Sequence, residues 1–200
     1  MRIAIFLMML ISTTVFPQKK SKVLDVVSNI DVKVLAMKPL GNNSFAKDLQ
    51  PFYGFGFGGN LMTPINFGVG IDYNELFSNV QYGRQNLYGN LGSPRMTVLD
   101  VFLTHRENIS EDFMIEEMAG FSYYRFTNLH LDQSGKWKND ASGFNIGAKA
   151  IYTLDGPQQV FAALKANFYY GNIYNEIPEI QKYYNRSTFL SLSLGYRYNF

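Results

Sequence analysis

Apolar residues recur at every second position through most of this chain. The most regular row is the last one, where Leu190, Leu192, Leu194, Tyr196, Tyr198 and Phe200 alternate with Ser191, Ser193, Gly195, Arg197 and Asn199. Side chains alternate faces along a strand, so one face of this stretch is wholly apolar and the other small or polar. Seven earlier stretches carry the same period. Leu24 to Met37 sets Ile30, Val32, Val34 and Ala36 against Asp31 and Lys33, and Phe52 to Leu61 alternates Tyr53, Phe55 and Phe57 with Gly54, Gly56 and Gly58. Ile65 to Asn74 places Ile65, Phe67, Val69, Ile71 and Tyr73 opposite Asn66, Gly68, Gly70, Asp72 and Asn74. Met96 to His105 turns Leu99, Val101 and Leu103 one way and Asp100 the other. In Phe113 to Phe126 the adjacent Glu116 and Glu117 leave the start of the register open; the preferred register puts Ala119, Phe121 and Tyr123 on the apolar face, with Met118, Gly120, Ser122 and Tyr124 opposite. Gly143 to Thr153 and Gln159 to Gly171 complete the set, with Asn145, Gly147 and Lys149, then Lys165 and Asn167, on the polar side.

The connections between these eight stretches alternate in length. Short polar turns follow the second, fourth and sixth (Thr63-Pro64, Glu107 to Asp112, Leu154 to Pro157), and long polar segments follow the first, third, fifth and seventh (from Pro39, Glu75 to Arg95, Thr127 to Ser142, Asn172 to Ser187). This pattern predicts an all-β chain folded as an eight-stranded antiparallel transmembrane β-barrel, with short periplasmic turns, longer extracellular loops and both termini in the periplasm. Strands of about ten residues, tilted, match the apolar thickness of a bilayer, and closure leaves no unpaired edge in lipid. A soluble barrel of the same strand count would turn its apolar rows inward, toward a ligand.

Composition narrows this further. The chain has 14 Tyr, 17 Phe and 17 Gly in 200 residues, and 17% of its residues are charged. That balance suits strands with interfacial aromatics. With no Cys, disulfide and thiolate chemistry are excluded, and a net charge of +2 without a long basic run gives no support for nucleic acid. Arg2 followed by the apolar run Ile3 to Ile11 predicts a secretory signal over residues 1–18, cut near Gln18, leaving a barrel domain over residues 22–200.

The alternating strands, the Gly54-Phe-Gly56-Phe-Gly58 run and the terminal Tyr196-Arg-Tyr198-Asn-Phe200 resemble the small OmpA/OmpX-type outer-membrane barrels of Gram-negative bacteria, and more broadly the porin-like outer-membrane β-barrel proteins. The resemblance covers about residues 22–200. It implies residence in the outer membrane among its lipids and lipopolysaccharide, and recognition of Tyr196, Tyr198 and Phe200 by the barrel-assembly machinery. It does not choose an activity, because members of that family are anchors, adhesins, lipid-modifying enzymes or proteins without an assigned role.

Eight charged residues fall on the polar faces and so into the lumen: Asp31, Asp72, Asp100 and Glu116 with Lys33, Lys149, Lys165 and Arg197. A barrel of eight strands is just wide enough for side chains to fill, and buried charges must pair. The expectation is a salt-bridged, closed interior, with Arg197 meeting Asp31 across the seam between first and last strands; a small porin-like channel for ions or small solutes is the alternative. No cofactor is expected. The glycine run alternates with aromatics and lacks the following helix of a nucleotide loop, and His105 and His130 lack a metal-ligand spacing. His130 with Asp132 and Ser134 forms the one candidate for a lipid A-modifying site, although the family's strand-borne His-x-Ser pattern is missing. Tyr82, Arg84, Tyr88 and Arg95 in one outer loop, and Tyr174, Tyr183, Tyr184 and Arg186 in another, are candidates for contacting a protein partner, a glycan or lipopolysaccharide.

Overall fold

A computed structural model describes residues 26–84, 91–130 and 136–200. Eight strands run β1 Val27–Leu40, β2 Phe52–Met62, β3 Phe67–Phe77, β4 Leu91–Asn108, β5 Phe113–His130, β6 Lys136–Asp155, β7 Gln158–Tyr170 and β8 Arg186–Asn199. Each pairs antiparallel with its sequence neighbours and β1 pairs with β8, so the sheet closes on itself. Two short helices interrupt the outer connections, α1 (Ser44–Asp48) between β1 and β2 and α2 (Pro178–Asn185) between β7 and β8. Among the described residues no helix is long and apolar enough to cross a membrane; the crossing is made by strands.

The alternation resolves into two surfaces. Val32, Val34, Phe55, Phe57, Val69, Ile71, Val101, Leu103, Phe121, Ile146, Leu164, Leu192 and Leu194 all stand exposed on the outer wall. Exposure of so many large apolar side chains is untenable in water and natural in lipid. Aromatic residues mark the edges of this band. Tyr196, Tyr198 and Phe200 lie on the outer wall at the periplasmic end, with Tyr198 and Phe200 in edge contact at 5.3 Å. At the other end Phe144 stacks between Phe168 (4.5 Å) and Tyr170 (5.9 Å).

The strand limits differ from the sequence expectation at the outer end. β4, β5 and β6 are 18, 18 and 20 residues long, about twice what a bilayer needs. The predicted loop over 127–142 is therefore mostly strand: Arg125 pairs with Asp140 and Asn128 with Trp137 in an unbroken ladder. The predicted loop over 75–95 is also shortened, since β3 continues to Phe77 and β4 starts at Leu91. The outward residues of these extensions (Arg125, Lys138, Asp140) are polar because water, not lipid, bathes them, which erases the apolar row. The inward row persists, with Tyr124, Phe126 and Ala141 all buried. At the periplasmic end β3 begins at Phe67 rather than Ile65, because Asn66 turns the chain with a positive φ of 64°, a conformation that Asn tolerates better than most residues.

Candidate functional site

Inside the barrel the side chains form three layers. The periplasmic layer centres on Arg197, which is wholly buried. The β1–β8 register sets Arg197 directly opposite Asp31. Its guanidinium donates to Asp31 through Nε (2.7 Å) and Nη2 (3.1 Å), and to Glu116 through Nη1 (2.7 Å) and Nη2 (2.9 Å). Lys149 Nζ completes Asp31 at 2.5 Å, while Arg106 donates to Glu116 from Nη2 at 2.7 Å and Nε at 3.0 Å. Such forked, charge-assisted bonds are the geometry in which Arg outperforms Lys.

The middle layer is built on Lys165. Its ammonium lies 2.7 Å from Asp100 and 3.4 Å from Asp72, and Lys33 donates to the same Asp72 oxygen at 2.5 Å. Ser122 donates to Asp100 at 2.6 Å, and Asn145 donates to Ser122 at 2.8 Å. Inward aromatics brace the ammoniums: Lys149 sits 4.5 Å from the Phe161 ring centre and Lys165 5.8 Å from that of Phe102. Two glycines make room for these rings. A Cβ on Gly195 would clash with the Phe161 ring, and one on Gly70 would clash with that of Phe102.

All eight lumen charges named from the sequence are thus buried in the interior, and each takes part in an ion pair. Arg106 is an addition to that set. It lies beyond the expected end of its strand, yet it faces inward and neutralises Glu116.

The outermost layer carries no charge. Met37, Phe52, Leu76, Met96, Val98, Tyr124, Phe126, Tyr169 and Phe189 close the barrel mouth as one buried apolar cluster. Phe45, from α1, is pushed down into it. Its ring meets Tyr169, Phe126 and Phe189 nearly edge-on at 5.0, 5.2 and 5.3 Å, a favoured aromatic geometry. Asn43 caps α1 by accepting from the Ala46 amide at 3.0 Å and is itself held by a Ser187 hydroxyl at 3.1 Å. Between the charged and apolar layers remains a cavity of about 20 Å³, lined by Lys33, Asn74, Lys165, Asn167 and Ser191 among others. It has room for about one water molecule.

Three outer connections are tied together above this plug. The backbone amide of Gln81 donates to the Asp48 carbonyl (2.8 Å), its side chain donates to the Leu49 carbonyl (3.0 Å), and Leu49 and Val80 form an isolated bridge. Ser78 donates to the Gln50 carbonyl at 2.7 Å. The Asp48 carboxylate accepts the Tyr183 hydroxyl at 3.2 Å and lies 3.9 Å from Arg84. Burial, then the charge of Asp48 and its hydrogen bond, push the Tyr183 phenol up to about 12. The sequence singled out Tyr183 and Arg84 but not the acid that joins them. Tyr82, Tyr174 and Tyr184 remain exposed, and Arg95 turns away to pair with Glu75.

The histidines do not assemble a site among the described residues. His105 faces outward at the periplasmic rim, with its ring 4.7 Å from that of Phe67 and its Nδ1 3.7 Å from Glu117. The backbone of His130 ends β5; its side chain, Asp132, Ser134, Tyr88 and the expected signal over 1–18 lie outside the described residues. No group of three or more metal-ligating side chains occurs among the described residues.

The same barrel recurs in solved structures. A major outer membrane protein from Thermus thermophilus superposes with a TM-score of 0.61 at 13% identity, covering 86% of this chain and 99% of its own. OprG from Pseudomonas aeruginosa gives 0.60 at 14% identity, covering 88% and 97%. The fold is that of the small eight-stranded outer-membrane barrels. Ail, the attachment invasion locus protein of Yersinia pestis, shares it at 0.56 and 10% identity, covering 87% and 98%. No protein-family model matches the sequence, and no curated protein matches it either. At these identities the likeness is one of barrel architecture, and the lumen and cap of this outer-membrane barrel are read from its own residues.

Proposed function

We propose that this chain is a non-enzymatic integral outer-membrane protein whose lumen does not conduct and whose structured outer cap carries its interactions. The observation behind this reading is the double closure of the lumen. Five cations (Lys33, Arg106, Lys149, Lys165, Arg197) interlock with four carboxylates (Asp31, Asp72, Asp100, Glu116) below, and an apolar plug keyed by Phe45 sits above. A path for ions would need both layers to part, at the cost of unpaired buried charge in the first and of exposed apolar surface in the second. The near balance of signs also lacks the single-sign ring of a selective pore. Recognition of Tyr196, Tyr198 and Phe200 by the assembly machinery belongs to the same reading, supported by their exposed row at the rim.

Planar-bilayer recording of the refolded chain over residues 22–200 tests this directly. Silence from protein shown to be folded is expected; discrete, reproducible current steps would hand the lumen to the porin-like channel alternative. For the lipid-modifying alternative, the acyl pattern of lipid A from cells carrying His130→Ala is expected to match that from cells carrying the unaltered protein.

A further inference from the structure

Five of the six described arginines pair with a carboxylate: Arg84 with Asp48, Arg95 with Glu75, Arg106 with Glu116, Arg125 with Asp140, and Arg197 with Asp31 and Glu116. Arg186 has no carboxylate partner among the described residues, although it is exposed and faces outward at the start of β8. Its cross-strand partner is Tyr170, on the same outer face and at the top of the Phe168–Phe144–Tyr170 aromatic ladder. Two further cations share this sector and likewise lack a carboxylate partner among the described residues. Lys182 lies in the last turn of α2, just before Arg186. Lys38 faces outward on β1 beside Leu190 of β8.

Height fixes what this sector meets. The apolar row of β8 starts at Leu190, and Arg186 lies four residues farther out, about 13 Å along the strand and, with the strand tilted, about 10 Å above the apolar edge. That is headgroup depth. The stem of Lys38, beside Leu190, can lie against the apolar wall while its amine extends outward toward the headgroups. Open grooves flank Arg186 on both sides, one of about 320 Å³ toward Gly41 and Thr188 and one of about 470 Å³ toward Pro178 and Lys182. The acids of the same loop, Glu176 and Glu179, sit toward the opposite end of α2, with Glu179 about 10 Å from Arg186 along the helix axis. Lys182 offsets the negative end of that helix, which leaves the guanidinium available to an outside anion. On the opposite side of the barrel Arg95 and Arg125 are already neutralised by acids.

We propose that the β7–β8–β1 sector, through Arg186, Lys182 and Lys38 beside Tyr170, binds the phosphorylated headgroup of an outer-leaflet glycolipid. This rests on the outer-membrane reading above. A guanidinium matches a phosphate with forked hydrogen bonds, and two ammoniums at the groove edges supply further charge. A site on the outer wall, at headgroup depth, is presented to lipid and not to a ligand free in solution.

Native mass spectrometry of the refolded protein with bisphosphorylated lipid A provides the test. The triple variant Lys38→Gln/Lys182→Gln/Arg186→Gln is expected to bind at least roughly tenfold more weakly. Lys136→Gln/Lys138→Gln, two exposed cations on another sector, is expected to bind as the unaltered protein does, and inorganic phosphate at matched concentration is expected not to compete. Equal binding by the triple variant overturns the site. So does an equal loss in the control, which would mean general charge attraction, and so does competition by inorganic phosphate. Flotation with lipid vesicles separates the two readings. Failure to insert sinks the membrane reading itself, whereas insertion without preference for bisphosphorylated lipid A sinks the site alone.

Discussion

Arg197 is where single-residue energetics concentrate. One guanidinium holds two carboxylates from strands on different parts of the wall, in a place with no access to water. Replacing it by Gln strands Asp31 with Lys149 alone and Glu116 with Arg106, so a loss of about 3–5 kcal/mol is expected, as for other broken buried pairs. Urea unfolding of the vesicle-inserted protein, followed by tyrosine fluorescence, would show it; an unchanged midpoint would mean that the remaining cations suffice. The residue scale is also where alternation in the sequence was most informative. A period of two assigns Asp31, Asp72, Lys149 and Lys165 to the interior without any knowledge of contacts, because lipid forbids them the other face. It cannot say which carboxylate each cation meets. Lys149 lies 118 positions from Asp31, and that pairing follows from strand tilt and register around the closed barrel. Arg106 is hidden from the alternation because the apolar row of β4 stops just before it, where the strand itself runs on to Asn108.

Among the elements, the outer extensions and the cap were the least legible. A strand leaving the bilayer loses its apolar outward row, so Arg125, Lys138 and Asp140 read as loop although the ladder runs through them. This places Ile146 and Lys138, on one face of β6, in different media. The chain has no Cys, so single cysteines at these two positions can carry an environment-sensitive dye. A lipid-phase quencher is expected to reach the Ile146→Cys probe and aqueous iodide the Lys138→Cys probe; lipid quenching at both would place the whole strand in the bilayer. The five residues of α1 carry no sequence period, and nothing local marks Phe45 as different from an ordinary loop aromatic. Its burial is decided by the cage of Phe126, Tyr169 and Phe189, contributed by three distant strands. Phe45→Ala is expected to release α1 without unfolding the barrel. Amide exchange at Ala46 to Leu49 should rise steeply while the strands stay protected; unchanged exchange would show that the Asn43 and Asp48 contacts hold the helix unaided.

For the molecule as a whole, the two closures are independent in chemistry and stacked in space. Phe45→Ala removes the key of the upper one and leaves the ion pairs below untouched, so the variant is expected to remain silent in planar bilayers. Current from that single change would mean that the charged layer is permeable and that the cap alone had been the barrier. The wall around these layers is uneven in electrical character. Its outward arginines near β3 to β6, Arg95 and Arg125, are neutralised by neighbouring acids, whereas Arg186 on β8 has no carboxylate partner among the described residues, so the barrel is expected to sit among lipids asymmetrically.

The Asp31–Arg197 pair has a consequence for how the molecule is made. It bridges the first strand and the last, the one junction between strands that are not neighbours in sequence. Until β8 docks, Asp31 and Glu116 lack their shared counter-charge and the nascent wall has an open margin facing lipid. Docking cures both defects in one step. The seam is therefore a latch that rewards only the finished ring, and a partly wrapped chain gains little by lingering short of it.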